Sequence, residues 1–184
     1  MKSLYVHIPF CNHICTYCDF CKVFYKDDWA NQYLDALYYE ILDKNIHGDY
    51  DTIYIGGGTP SSLSYEQLER LFTYLQPFTK HIQEYSIEVN PESMDEKKLD
   101  LCVRYGINRL SIGVQTFHDY LLEKIGRYHT SKQVIDLIKR AQTKGIQDIN
   151  VDLIYGLPQQ TLQDINNDIE MIDKLDISHV SIYS

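Results

Sequence analysis

Six short runs rich in Ile, Val and Tyr recur along the chain at fairly even spacing: Leu4–Phe10, Thr52–Ile55, Tyr85–Val89, Arg109–Val114, Ile149–Ile154 and His179–Tyr183. Most lack strict apolar–polar alternation, the pattern of strands buried on both faces. Helical patterns separate them. Ser64-x-x-Gln67, Ser93-x-x-Glu96 and Thr130-x-x-Gln133 read as capping boxes. Apolar residues then recur at helical spacing, Trp29, Tyr33, Leu37 and Ile41 in the first helix and Leu68, Leu71, Phe72 and Leu75 in the second. Gly106 and Gly145 stand where helices should end. Strand alternating with helix at this length predicts βαβ units and a parallel sheet.

Six strands with five clear crossover regions fit a partial (β/α)6 TIM-like barrel better than a doubly wound sheet. Residues 1–184 read as one domain. The last strand pattern runs to Ser184 without a covering helix, so the sequence looks like the N-terminal part of a longer architecture. In barrels of this kind the active site lies at the C-terminal ends of the strands, in the βα loops.

Composition narrows the class. The 44% hydrophobic and 23% charged content is that of a soluble globular protein. No stretch approaches the roughly 20 apolar residues of a membrane span, and Met1-Lys2-Ser3 leads into a strand pattern rather than a signal peptide. Clustered thiols without a secretion signal point to the cytoplasm. Seventeen basic against 26 acidic residues give a net charge of −9, which disfavours a nucleic-acid partner.

Against that background the run Cys11-Asn12-His13-Ile14-Cys15-Thr16-Tyr17-Cys18 is distinctive. CxxxCxxC after a strand offers three thiolates to an iron–sulfur cluster and leaves a fourth position open, the mark of a reactive rather than a structural site. Five cysteines, an odd number, with four inside one short segment, do not make a disulfide framework. Zinc is the rival: Cys21 follows at CxxC spacing, and His7 and His13 are near, although zinc sites usually draw on two separated pairs. The other strand ends add polar chemistry. Gly56-Gly57-Gly58-Thr59-Pro60 follows the second strand and lets backbone approach a ligand. Glu88 ends the third strand, Gln115 the fourth, and Asp152 lies in the fifth. Arriving at one face, these residues form a candidate site.

The segments YVHIPFC, CxxxCxxC, YIGGGTPS, SIEVNPE, RLSIGVQTF, IGRYH and DLIYGLPQQT, taken together, resemble one branch of the radical S-adenosylmethionine (SAM) superfamily. That branch holds the oxygen-independent coproporphyrinogen III oxidases and the related haem chaperones. The resemblance implies a 4Fe–4S cluster on Cys11, Cys15 and Cys18, with SAM on the remaining iron. It further implies that Tyr5 reaches the SAM methionyl group and Tyr17 the adenine side. Gly57, Gly58 and Thr59 would present backbone groups to the SAM amino group, and Glu88 would accept from the ribose hydroxyls. Gln115, Arg127 and Asp152 match further SAM contacts, including those of a second SAM. His7 is expected to pack near the cluster, and Cys102 to be a buried small hydrophobe.

In the oxidases the implied reaction is reductive cleavage of SAM to methionine and a 5′-deoxyadenosyl radical, followed by decarboxylation of a porphyrinogen propionate. Two departures favour the chaperones. The oxidases follow the third ligand with CxC spacing, where this chain reads Cys18-Asp19-Phe20, and they carry a segment before the first strand, which here begins near Ser3. The implied partners are haem or a porphyrinogen, an electron donor such as flavodoxin or ferredoxin, and haem-accepting proteins, with haem as cargo. A tRNA-modifying radical SAM enzyme remains a further alternative, but should bring a basic surface.

Overall fold

A computed structural model describes residues 1–184. Its frame is a six-stranded, wholly parallel sheet, with strands in the order β1 (Ser3–Ile8), β4 (Thr52–Gly57), β5 (Glu84–Val89), β6 (Arg109–Gln115), β7 (Asp148–Ile154) and β8 (His179–Tyr183). Helices α1 (Asp27–Asp43), α2 (Tyr65–Leu75), α3 (Glu96–Arg104) and α6 (Leu162–Lys174) each fill one crossover. Two helices, α4 (Asp119–Lys124) and α5 (Ser131–Thr143), share the crossover between β6 and β7. All six predicted strands are present, in the open-barrel order expected of a partial (β/α)6 fold. Two-residue strands β2 (Phe10–Cys11) and β3 (Val23–Phe24) pair with each other and close the cysteine loop at its base.

The second face of the strands departs from the sequence reading. Residues turned toward the helices are apolar and fully buried, among them Ile53, Ile55, Ile87, Leu110, Ile112, Ile149 and Val151. The alternate positions carry Tyr54, Ser86, Glu88, Ser111, Asn150 and Asp152, which the strand register sets side by side. Ser86, Ser111 and Asn150 are buried too. The outer face is therefore buried, as expected, whereas the inner face is polar and only partly buried, with Tyr54, Glu88 and Asp152 half-buried and Tyr5 exposed. It lines a cavity instead of packing against a second apolar layer.

Two local expectations change. Ser93 does not cap α3: its hydroxyl bonds Ser61 Oγ at 2.5 Å and the Asn90 carbonyl at 3.1 Å. Asp95 caps instead, accepting from the Lys98 N–H at 2.8 Å. Trp29 is not on the buried side of α1. It is 51% exposed beneath the Lys26 ammonium, while Ala30 and Leu34 form the buried seam and Tyr33, Leu37 and Ile41 flank it. The capping boxes at Ser64 and Thr130 form, and a third joins Thr161 to Asp164. Gly106 and Gly145 follow α3 and α5 as expected. Cys102 is fully buried and its thiol is pushed up to about 12 by burial. On β8, Val180 and Ile182 stand exposed. No helix is long and apolar enough to cross a membrane.

Candidate cofactor site at the mouth of the barrel

Every residue nominated for the three-cysteine cluster or for SAM lines one cavity of about 490 Å3 at the C-terminal ends of the strands. Cys11, Cys15, Cys18 and Tyr17 come from the loop after β1, and Tyr5 from β1 itself. Gly57, Gly58 and Thr59 follow β4; Glu88, Gln115 and Asp152 come from β5, β6 and β7; Arg127 follows α4.

The cysteine loop is held at several points. Val23 and Tyr25 donate backbone N–H groups to Pro9 and Cys11, both at 2.8 Å. Cys11 Sγ lies 3.4 Å from Thr59 Oγ1, which also accepts from Asn90 Nδ2 at 3.1 Å. Burial pushes the Cys11 thiol up, and Thr59 partly offsets this; an iron ligand must lose that proton on binding. The Lys22 ammonium donates to the Cys18 carbonyl. His13 stacks on Tyr128 with ring centroids 3.9 Å apart, so the loop after α4 also grips the cysteine loop.

The donors proposed for zinc do not assemble. No three His, Cys, Asp or Glu side chains converge at single-ion spacing, whereas zinc holds all its thiolates about 2.3 Å away. Cys21 is exposed, and the second zinc candidate, His7, bonds the Tyr5 hydroxyl at 3.0 Å through Nδ1. Thiolates that each take a different iron need not converge on one point. Cys11, Cys15 and Cys18 share the cavity wall.

The glycine run is shaped by close approach. A Cβ on Gly58 would lie 2.7 Å from the Pro9 backbone. The N–H groups of Gly57, Gly58 and Thr59 are all engaged, donating to Glu88 Oε2 at 2.8 Å, Ile8 O at 2.9 Å and Phe10 O at 2.8 Å. The Gly58 carbonyl, by contrast, accepts no intramolecular bond. An acceptor of this kind suits an amino group.

Glu88 also accepts from the Tyr54 hydroxyl at 2.7 Å. Burial raises its carboxyl above the usual range, against the pull of Tyr54 and Gly57, and nearby Asp152 raises it further. Burial likewise raises Asp152, offset by hydrogen bonds from Asn150 and Ser181 and by Arg109 and Arg127. Burial raises the Tyr17 phenol as well, with Arg127 opposing. Gln115 is buried at φ +67° beside a bulge in β6, a conformation costing about 1–3 kcal/mol that strand ends keep where a side chain must be aimed.

Arg127 is not a solvated surface residue: its side chain is 5% exposed. Nη2 donates to Asn90 Oδ1 at 2.7 Å and to the Gly113 carbonyl at 2.8 Å, while Nη1 lies 3.6 Å from Cys15 Sγ. A Cβ on Gly113 would come 2.7 Å from Asn90 Oδ1, so this packing needs glycine there. Sequence reasoning gave no role to Tyr54, Asn90, Glu92, Arg109 or His129. Asn90, Glu92 and His129 lie within the segments SIEVNPE and IGRYH, and that was the available signal.

Comparison with known proteins places these features in a family. The model of the radical SAM superfamily matches residues 5–172. The chain is 46% identical over its whole length to the haem chaperone HemW of Bacillus subtilis, covering 50% of that protein. It is 35% identical to the oxygen-independent coproporphyrinogen III oxidase of Salmonella typhimurium, with 99% of this chain and 41% of that protein aligned. The solved structure of coproporphyrinogen III oxidase (HemN) from Escherichia coli superposes with a TM-score of 0.89 at 35% identity, covering 98% of this chain and 43% of the other. The chain thus spans about half the length of the relatives it matches. With the motif, the open parallel barrel and the family match in agreement, the chain belongs to the radical SAM superfamily, on the branch that holds the HemW haem chaperones and the HemN-like oxidases.

Proposed function

We propose that this chain is the cofactor-binding half of a haem chaperone. Cys11, Cys15 and Cys18 hold a 4Fe–4S cluster, the cavity beside them takes SAM, and the whole protein binds haem and delivers it to haemoproteins. The observation that carries the cofactor reading is the gathering of three thiolates and every nominated SAM contact on one cavity wall. Bound there, the pair supplies one-electron chemistry, and the protein supplies position, charge and exclusion of water. Arg127, charged and fixed, pairs with the SAM carboxylate, as guanidinium does well. The Gly58 carbonyl accepts from the amino group, Glu88 from the ribose, and Tyr5 and Tyr17 pack on the methionyl and adenine parts. Gln115 and Asp152 complete the wall.

The chaperone reading rests on the greater identity to HemW than to the oxidase and on the run Cys18-Asp19-Phe20, which lacks the oxidases' extra cysteine at CxC spacing. The exposed ring of Phe20 on the cavity rim suits a flat apolar ligand such as a tetrapyrrole. The alternative is an oxygen-independent coproporphyrinogen III oxidase. Anaerobic incubation of the full-length protein with coproporphyrinogen III, reductant and SAM, followed by chromatography, separates the two. The chaperone reading expects bound haem passed to an acceptor haemoprotein and no decarboxylated product; product above trace turnover would restore the oxidase.

A further inference from the structure

Behind Arg127, away from the cavity, lies a buried carboxylate that the site does not yet use. Glu92 Oε2 is 3.9 Å from Arg127 Nη2 and 3.3 Å from Nδ1 of His129, whose side chain is wholly buried. Neither Glu92 nor His129 lines the cavity, whereas Arg127 does. His129 Nε2 lies 3.2 Å from the Val114 carbonyl; a carbonyl only accepts, so this nitrogen carries a hydrogen. Glu92 stays ionised: burial opposes its charge, but His129 and Arg127 outweigh this and hold the carboxyl below the usual range. Arg127 Nε, Glu92 Oε2 and His129 Nδ1 are all buried without a hydrogen-bond partner, so Asn90 and Gly113 fix the guanidinium through hydrogen bonds and Glu92 acts on it through charge at 3.9 Å. An uncompensated buried guanidinium is costly.

We propose that Glu92, flanked by His129, is a positioning residue that keeps Arg127 aimed into the cavity for a ligand carboxylate. The inference rests on the reading of Arg127 as the partner of the SAM carboxylate. It predicts a loss confined to ligands that bear that group. Partners one shell behind a binding group commonly change affinity by roughly 10–100-fold when lost.

The test is calorimetry on the reconstituted full-length protein with SAM and with 5′-methylthioadenosine, which lacks the carboxylate. Glu92→Gln should bind SAM roughly tenfold more weakly, with unchanged iron content and unchanged affinity for 5′-methylthioadenosine; Glu92→Asp should restore part of the loss. Equal weakening of both ligands would reduce Glu92 to a packing role and overturn the proposal. So would unchanged SAM affinity in Glu92→Gln when Arg127→Ala weakens SAM, which leaves the Arg127 reading intact. If Arg127→Ala leaves SAM binding unchanged, the Arg127 reading itself falls and takes the proposal with it. Should Glu92→Gln fail to take up iron, His129→Gln is read by the same comparison.

Discussion

Nη1 of Arg127 lies 3.6 Å from Sγ of Cys15, although the two residues are 112 positions apart. One buried guanidinium thus touches the cysteine loop, the end of β5 through Asn90 and the end of β6 through Gly113. The cysteine loop and the cavity beside it are tied together by this contact.

Glu88 gives the first prediction. Its carboxylate already accepts from Tyr54 and Gly57, so two of its lone pairs are occupied and others remain for a ribose. Glu88→Ala removes a charged acceptor, and SAM affinity measured by calorimetry should fall by about 1.5–3 kcal/mol. The cluster should survive, because its cysteines lie on another loop. Unchanged affinity would remove Glu88 from the ligand contacts.

A second prediction concerns Gly58. A Cβ there would meet the backbone of Pro9 and Phe10 at 2.7–2.9 Å, and backbone on a pinned loop yields little. Gly58→Ala should cost about 1–3 kcal/mol of stability, the usual range for overpacking. Denaturant unfolding of the cofactor-free protein checks this, and no loss would mean that the loop after β1 is freer than its hydrogen bonds imply.

The third prediction is a pH dependence at α6. Asp164 is lowered from 3.8 to about 2, first by the Tyr120 hydroxyl and then by the Thr161 backbone and side chain, with His118 also near. A depressed carboxylate stabilises the fold above its unfolded value and loses that contribution as pH falls toward the folded one. The difference in melting temperature between the wild type and Asp164→Asn should therefore be largest above pH 4 and shrink between 3.8 and about 2. A difference that stays constant across that window would rule out an ionised cap.

Much of this was legible from the sequence because the signals are local. β8 spans the predicted His179–Tyr183, and the other main strands differ from prediction only near their ends. Ser64 and Thr130 cap as their spacing requires. Ser93 misled because Ser61, 32 residues away, claims its hydroxyl. Trp29 misled because periodicity counts a large ring as core, while the small Ala30 fits the contact. The polar inner face of the sheet was hidden because Tyr54, Ser86 and Ser111 sit between strongly apolar neighbours. Glu92 and His129 were missed because their pairing arises only when the loop between α4 and α5 folds back onto the end of β5. The shared placement of Cys11, Cys15 and Cys18 on the cavity wall was readable because they lie within one short loop.

The most direct test is anaerobic reconstitution of the full-length protein and its three cysteine variants, with iron analysis and EPR before and after adding SAM. The account predicts about four irons per chain and a spectrum altered by SAM. It also predicts loss of the cluster in Cys11→Ser, Cys15→Ser or Cys18→Ser, but not in Cys21→Ser. Stoichiometric zinc without iron uptake, or a cluster that survives loss of any of the three, would contradict it.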